Sequence, residues 1–187
     1  MPKSLSPTDI RDHVRAFDDR VDARFDEVRG HPVFDRLMYG ASELGDFSML
    51  WHMVGLARGL TSDERADEAI RLSVILACES VLVNGVIKSF FRRRRPLWDQ
   101  PRAFRIRRPR SSSFPSGHAS AAFTAATILS EDSRLWPLYY AAAAVVASSR
   151  TYVKIHHASD VVAGVATGLV IGRVARKAWP KSGMSRS

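Results

Sequence analysis

Three short signatures in this chain set chemically active residues at fixed spacings. Lys88 is followed after six residues by Arg95-Pro96; Pro115-Ser116-Gly117-His118 comes next; Ser149-Arg150 then leads after five residues to His156 and after three more to Asp160. His156 and Asp160 are four apart, so on a helix they share a face. The carboxylate then keeps one imidazole nitrogen protonated while the other is free to attack. His118 follows Gly117 at an expected helix start, placed to protonate a departing oxygen and then to activate water. Lys88, Arg95 and Arg150 supply cationic donors for phosphoryl oxygens. Ser116 and the Gly117 amide complete the cradle at the positive end of a helix. Phosphoryl transfer spreads negative charge over those oxygens, so fixed donors are the main help a protein can give. The set therefore reads as transfer through a covalent phosphohistidine. No His, Cys, Asp or Glu grouping has metal-ligand spacing, and neither metal nor cofactor is expected.

Other residues have plainer readings. His157 falls on a different helix face from His156 and reads as structural or rim. His13, His31 and His52 match no signature and are assigned no role. Arg92, Arg93 and Arg94 suit either a second phosphate or lipid head groups, or simply solvated flanking charge. Glu79 and Asn84 interrupt an apolar segment, where facing lipid would be costly, so both are expected to point inward for packing and hydrogen bonding.

The elements that must position these residues follow from the charge pattern. The 187 residues carry 28 Lys and Arg against 19 Asp and Glu, a net charge of +9, and the length fits one domain, with or without an appendage. Nine arginines and one acid, Asp99, lie within 92 to 110, so nearly all the net charge sits in one stretch. Pro96, Pro101 and Pro109 make that stretch a loop. It has no recognition helix, sheet module or interleaved stacking aromatics, so nucleic acid is not an expected partner. Around it lie five apolar segments, Phe47 to Leu60, Leu72 to Phe91, Ser116 to Ser130, Leu135 to Ser149 and Asp160 to Ala178. Several fall short of the roughly 20 apolar residues that cross a bilayer. Five of them with short polar links nevertheless fit a membrane bundle better than a soluble core. Small residues in the later segments allow close helix contact. The single Cys78 cannot form an intramolecular disulfide, and the N-terminus has neither the apolar run nor the cleavage pattern of a removable signal peptide.

Ahead of the bundle, Ser6-Pro7-Thr8-Asp9 reads as a capped helix start. Ile10, Val14, Phe17, Val21, Phe25 and Val28 then form one apolar stripe, ended by Gly30 and Pro32. Seven acids and five arginines occupy the opposite face. This helix is expected to pack on its own domain or to pair with a partner helix or a second copy as a homo-oligomer. A short interfacial helix is expected over 33–46.

The three signatures resemble the type 2 phosphatidic acid phosphatase (PAP2) family, part of a superfamily with soluble acid phosphatases and haloperoxidases. Its motifs are K-x6-R-P, P-S-G-H and S-R-x5-H-x3-D, all complete here, and the resemblance covers about residues 45 to 178. It implies an all-α helical bundle and leaves the N-terminal helix outside; with the segments read above, the chain is expected to be a multi-pass transmembrane bundle of about five spans, with an N-terminal amphipathic helix over 1–32, the phosphatase domain over 33–178 and a basic polar tail over 179–187. It implies metal-independent removal of phosphate from an ester or diphosphate, with the roles given above at the matching positions: His156, His118 and Asp160 catalytic, and Lys88, Arg95, Ser116, Gly117 and Arg150 on the phosphate. The expected substrate is a membrane lipid phosphate, with polyprenyl diphosphate or a polyprenyl-phosphoryl sugar phosphate favoured and phosphatidic acid or phosphatidylglycerol phosphate as alternatives. A soluble-substrate acid phosphatase or haloperoxidase, and a catalytically silent lipid-binding membrane protein, are the competing readings. Counting every Lys and Arg puts the active site in the cytoplasm, whereas setting the catalytic arginines aside makes the basic tail cytoplasmic and the active site extracytoplasmic, the favoured orientation.

Overall fold

In the computed structural model, which describes residues 6–98, 103–131 and 133–181, the chain is helical, with no strand among those residues. Helix α1 (Pro7–Asp26) opens on a capping box in which Ser6 N–H donates to Asp9 Oδ2 at 2.9 Å and Asp9 N–H to Ser6 Oγ at 3.2 Å. Its apolar stripe splits in two. Ile10, Val14 and Phe17 are exposed, whereas Phe25 and Val28 pack on Tyr152, Val153 and Ile155. The chain turns at Gly30, which takes φ +86, and α2 (Pro32–Leu44) lies against α6 (Trp136–Tyr152).

After a short turn, α3 covers Met49–Gly59 and α4 covers Asp63–Ser80. Ser62 accepts the Arg65 N–H at 3.3 Å, so α4 begins in the charged segment, nine residues before the apolar segment in which the sequence pattern starts it. It continues through a π-helical stretch, Val81–Val86, into a final 3-10 turn, Ile87–Phe90. After the arginine loop come α5 (Gly117–Leu129), α6, and α7 (Ala158–Ala178).

Helices α3 to α7 run back and forth between two ends. At one end the approach to α3 meets the start of α5 through Asp46 and His118, and the start of α5 meets that of α7 through a bond from Ser116 N–H to the Asp160 carbonyl. At the other end, Arg71 and Glu131 form a buried pair at 2.5 Å. Arg176 reaches the same carboxylate at 3.0 Å, and Glu68 binds both Arg58, at 3.1 Å, and Lys181, at 2.9 Å. This cluster ties Arg176 of α7 and Lys181 to α3, α4 and the end of α5.

Helix α5 is the centre. Ala119, Ala122, Ala125 and Ala126 are fully buried, and α7 approaches so closely that Gly164 and Gly168 face the carbonyl oxygens of Ser116 and Ser120. The outward faces of α4 and α7 are apolar, with Ile70, Val74, Val81 and Leu82 on one and Val162, Val170 and Val174 on the other. The stretches Asp63–Phe90 and Ala158–Ala178 are each long and apolar enough to cross a membrane. Glu79 is buried inside the bundle, as expected, but Asn84 departs from the inward orientation expected of it. Within the π-helical stretch it is exposed at the rim, bonded to Ser80 Oγ at 3.3 Å and packed beside Gly117.

Candidate active site

The start of α5, the ends of α4 and α6, and the turn into α7 bring all three signatures to one end of the bundle. Val153 and Lys154 end α6, Lys154 taking a left-handed φ of +49, and the turn folds back so that the N–H groups of Ile155 and His156 both donate to the Arg150 carbonyl at 3.1 Å. His156 therefore lies in the turn before α7 and not on the helix with Asp160, as the four-residue spacing suggested. Asp160 is the third residue of α7, where its Oδ2 accepts the His157 N–H at 2.9 Å in a capping box. The same oxygen stands 3.6 Å from His156 Nδ1, too long for a hydrogen bond but close enough for strong electrostatic coupling in a buried site.

Protonation of His156 follows from its neighbours. Arg95 has only donors, and its Nη1 lies 3.2 Å from His156 Nε2, so Nε2 is the unprotonated acceptor and Nδ1 carries the hydrogen facing Asp160. Burial drives the His156 pKa down to about 3; Asp160 opposes the shift, and the charges of Arg150 and Arg95 reinforce it. The imidazole is neutral, with a lone pair at Nε2: the state a nucleophile needs.

His118 has a partner that sequence reasoning missed. Its Nε2 lies 2.7 Å from Oδ1 of Asp46, in the turn before α3. An ionised carboxylate only accepts, so Nε2 carries a hydrogen and Nδ1 remains for proton exchange. Burial raises the Asp46 carboxyl, but the hydrogen bond from His118 and the charges of Arg150 and Arg107 outweigh it and hold the group below the usual carboxylate range. Asp46 belongs to no signature, and its only sequence cue is an acid next to an apolar segment.

The cationic residues surround the imidazoles. Lys88 is buried in the last turn before the loop, within electrostatic reach of Arg95, Arg150 and Asp160. Arg95 also donates to the carbonyls of Ile155 at 3.0 Å and Ser112 at 3.2 Å. Arg150 is buried in the last turn of α6 and bonds Ser42 of α2. Ser116 caps α5 by accepting the Ala119 N–H at 3.5 Å, which leaves its hydroxyl hydrogen able to donate, and Asn84 packs beside the Cα of Gly117. Arg93, left open between a second phosphate, lipid head groups and solvated flanking charge, is built into the site and touches Asp160 at 2.6 Å. His157 lies at the rim with Nε2 3.3 Å from the Arg94 carbonyl, and His52 pairs with Ser73, away from the cluster. Among the described residues no group of three His, Cys, Asp or Glu could hold a metal ion.

Comparison with known proteins identifies the family. The family model of the PAP2 superfamily matches residues 68–184. The chain belongs to the PAP2 superfamily. Among curated members of known sequence, the decaprenylphosphoryl-5-phosphoribose phosphatase of Mycobacterium tuberculosis is 30% identical over 136 residues, covering 72% of this chain and 75% of that one. Among solved PAP2 structures, the transmembrane phosphatidylglycerolphosphate phosphatase of Bacillus subtilis superposes with a TM-score of 0.71 at 22% identity, covering 93% of this chain and 90% of the other. LpxE of Aquifex aeolicus superposes with a TM-score of 0.69 at 27% identity, covering 84% and 93%. The PAP2 match begins within α4, so α1, α2 and α3 lie outside it.

Proposed function

We propose that this protein is a multi-pass membrane lipid phosphatase that removes the terminal phosphate of a polyprenyl-phosphoryl sugar phosphate, without a metal, through a phosphohistidine at His156. The observation that carries the reading is the convergence of a neutral His156, a carboxylate-paired His118 and the cations Lys88, Arg95 and Arg150 at one end of an apolar bundle. His156 Nε2 attacks phosphorus as the bond to the leaving oxygen breaks, and His118, which enters this step protonated on both ring nitrogens, gives its Nδ1 proton to that oxygen. Water, deprotonated by His118, then cleaves the phosphorus–nitrogen bond and returns His156 to its neutral state. Asp160 stabilises the imidazole while it carries the phosphoryl group. Lys88, Arg95 and Arg150, with Ser116 and the Gly117 amide at the positive end of α5, hold the phosphoryl oxygens.

Two observations support the head group. The named phosphatase that is 30% identical to this chain acts, by its name, on a prenyl lipid that carries a sugar phosphate. Beside the cradle, an open groove of about 500 Å³ is lined by Arg92, Arg94, Arg108 and Arg110, and it shares Arg93 and Arg95 with the site. A substrate with a phosphodiester between lipid and sugar presents a second anion to that groove, whereas a simple lipid monophosphate does not. Residues 33–178 form the phosphatase domain, with the helix of 1–32 and the tail of 179–187 attached. All five helices α3 to α7 cross the bilayer, the basic tail is cytoplasmic and the active site faces outward.

Phosphate release in detergent with chelator present, over a panel of polyprenyl-phosphoryl sugar phosphate, prenyl diphosphate, phosphatidic acid and phosphatidylglycerol phosphate, tests the chemistry. The expected result is chelator-resistant activity that His156→Ala abolishes, and activity surviving that substitution overturns the mechanism. Arg94→Ala should raise KM for the sugar phosphate and leave that for phosphatidic acid, which carries a single phosphate, unchanged; an equal effect on the two overturns the head-group assignment. Labelling of single cysteines placed at 94 and 181 from outside intact cells, with Cys78 replaced, should mark only the first.

A further inference from the structure

Asp18, in the middle of α1, is 5% exposed although it sits on what the sequence pattern makes the polar face of that helix. A carboxylate taken out of water has to be paired, and its pairing leads directly into the catalytic centre. Oδ1 accepts the backbone N–H of Ser159 at 2.7 Å, and Oδ2 accepts the Ser159 hydroxyl at 2.9 Å. Oδ2 also meets Arg93 Nη2 at 2.6 Å, while Arg93 Nη1 donates to Ser159 Oγ at 2.8 Å and to Asp160 Oδ1 at 2.6 Å. Asp160 itself is fully buried, and its other oxygen faces His156.

We propose that Asp18 is a positioning residue for the phosphatase reaction: it fixes Arg93 and the first turn of α7, and these fix the Asp160 carboxylate against the nucleophile His156. This rests on the phosphatase reading above and adds a residue outside the matched region of the family. One guanidinium bridges two buried carboxylates. With Asp18 in place, Arg93 has one rotamer in which both branches are satisfied. Without it, Arg93 is free to turn towards solvent, and Asp160 Oδ1 loses its charge-assisted partner. Charge on α1 holds the same turn from the other side. Lys154 Nζ lies 3.0 Å from Asp22, and Arg29, bound to Asp22 at 2.6 Å, donates to the carbonyls of Thr151 and Tyr152 at 3.0 and 2.8 Å. Helix α1 is thus the outer wall of the turn that carries His156.

Asp18→Asn keeps the shape and an oxygen for the Ser159 amide but removes the charge that holds Arg93. Steady-state and single-turnover kinetics with the lipid substrate should show kcat and the rate of phosphoenzyme formation down about 10- to 100-fold, with KM within about twofold. Asp18→Glu should recover part of the loss. In the Arg93→Ala background, Asp18→Asn should cost almost nothing further, because the path to Asp160 is already cut. Effects that add in the double variant, or a loss confined to thermal stability with kcat per folded molecule unchanged, would overturn the proposal. A wild-type protein that releases phosphate from none of the lipids overturns the phosphatase reading and this role together. An active wild type with an unimpaired Asp18→Asn overturns this role alone.

Discussion

His118 Nε2 and Asp46 Oδ1 stand 2.7 Å apart across 72 residues of sequence, joining the start of α5 to the turn before α3. The contact assigns the His118 tautomer, because a carboxylate only accepts whereas an amide in its place can present either an acceptor or a donor. Asp46→Asn should therefore lower kcat by about 10- to 100-fold, with a smaller change in KM, measured on the lipid substrate in detergent. An unchanged kcat would show that His118 exchanges protons without this support.

The pH dependence of stability should carry the mark of His156. The folded pKa is about 3, below the ordinary value of 6.5, because the imidazole is buried neutral. Between those values the unfolded chain binds the proton and the folded chain does not, so stability rises with pH through the window. It is fully present above the unfolded value and lost as pH falls below it. Wild type should lose about 2 kcal/mol more than His156→Gln between pH 7.5 and pH 5, read from thermal unfolding in detergent. Parallel losses in the two proteins would contradict the neutral buried imidazole.

At the far end of the bundle, Arg71 and Glu131 are 4% and 2% exposed in their side chains. Removing one partner strands the other charge, so Glu131→Gln should destabilise the fold by about 3–5 kcal/mol. Because this cluster is remote from His156, the surviving folded fraction should retain wild-type kcat. Unfolding temperature and activity measured on the same preparation separate the two effects.

Where α7 crosses α5, Gly168 has no room for a Cβ against the Ser120 carbonyl, whereas Gly85 has open space. Gly168→Ala should cost about 1–3 kcal/mol of stability. Gly85→Ala should change it by less than about 1 kcal/mol. Equal effects would mean that the two helices can separate without penalty.

Much of the site was legible because its residues come in short, fixed spacings that survive any uncertainty about helix boundaries. Lys88, Arg95, His118, Arg150, His156 and Asp160 needed only linear order. What the spacing misjudged was local geometry: His156 and Asp160 meet across a turn and a helix cap, because the left-handed Lys154 ends α6 before the pair is reached. Asp46 and Asp18 were not legible as site residues, and Arg93 was legible only as one of three arginines suited to a phosphate, a head group or solvated charge. Each acts through a partner far away in sequence, and nothing in a single chain distinguishes such an acid or arginine from solvated charge. The bundle's helices were visible as apolar segments. The charged opening of α4 was not, because there a cap and helix-forming residues carry the helix beyond its apolar part.

The alanine-rich surface of α5 leaves the bundle's axis filled with backbone and methyl groups, hemmed in by α4, α6 and α7. On the function proposed above, the isoprenoid chain stays among the acyl chains of the surrounding leaflet and only the head group is drawn inward. Such an enzyme carries no ruler for tail length. Lipids of different prenyl number but identical head groups should be indistinguishable to it.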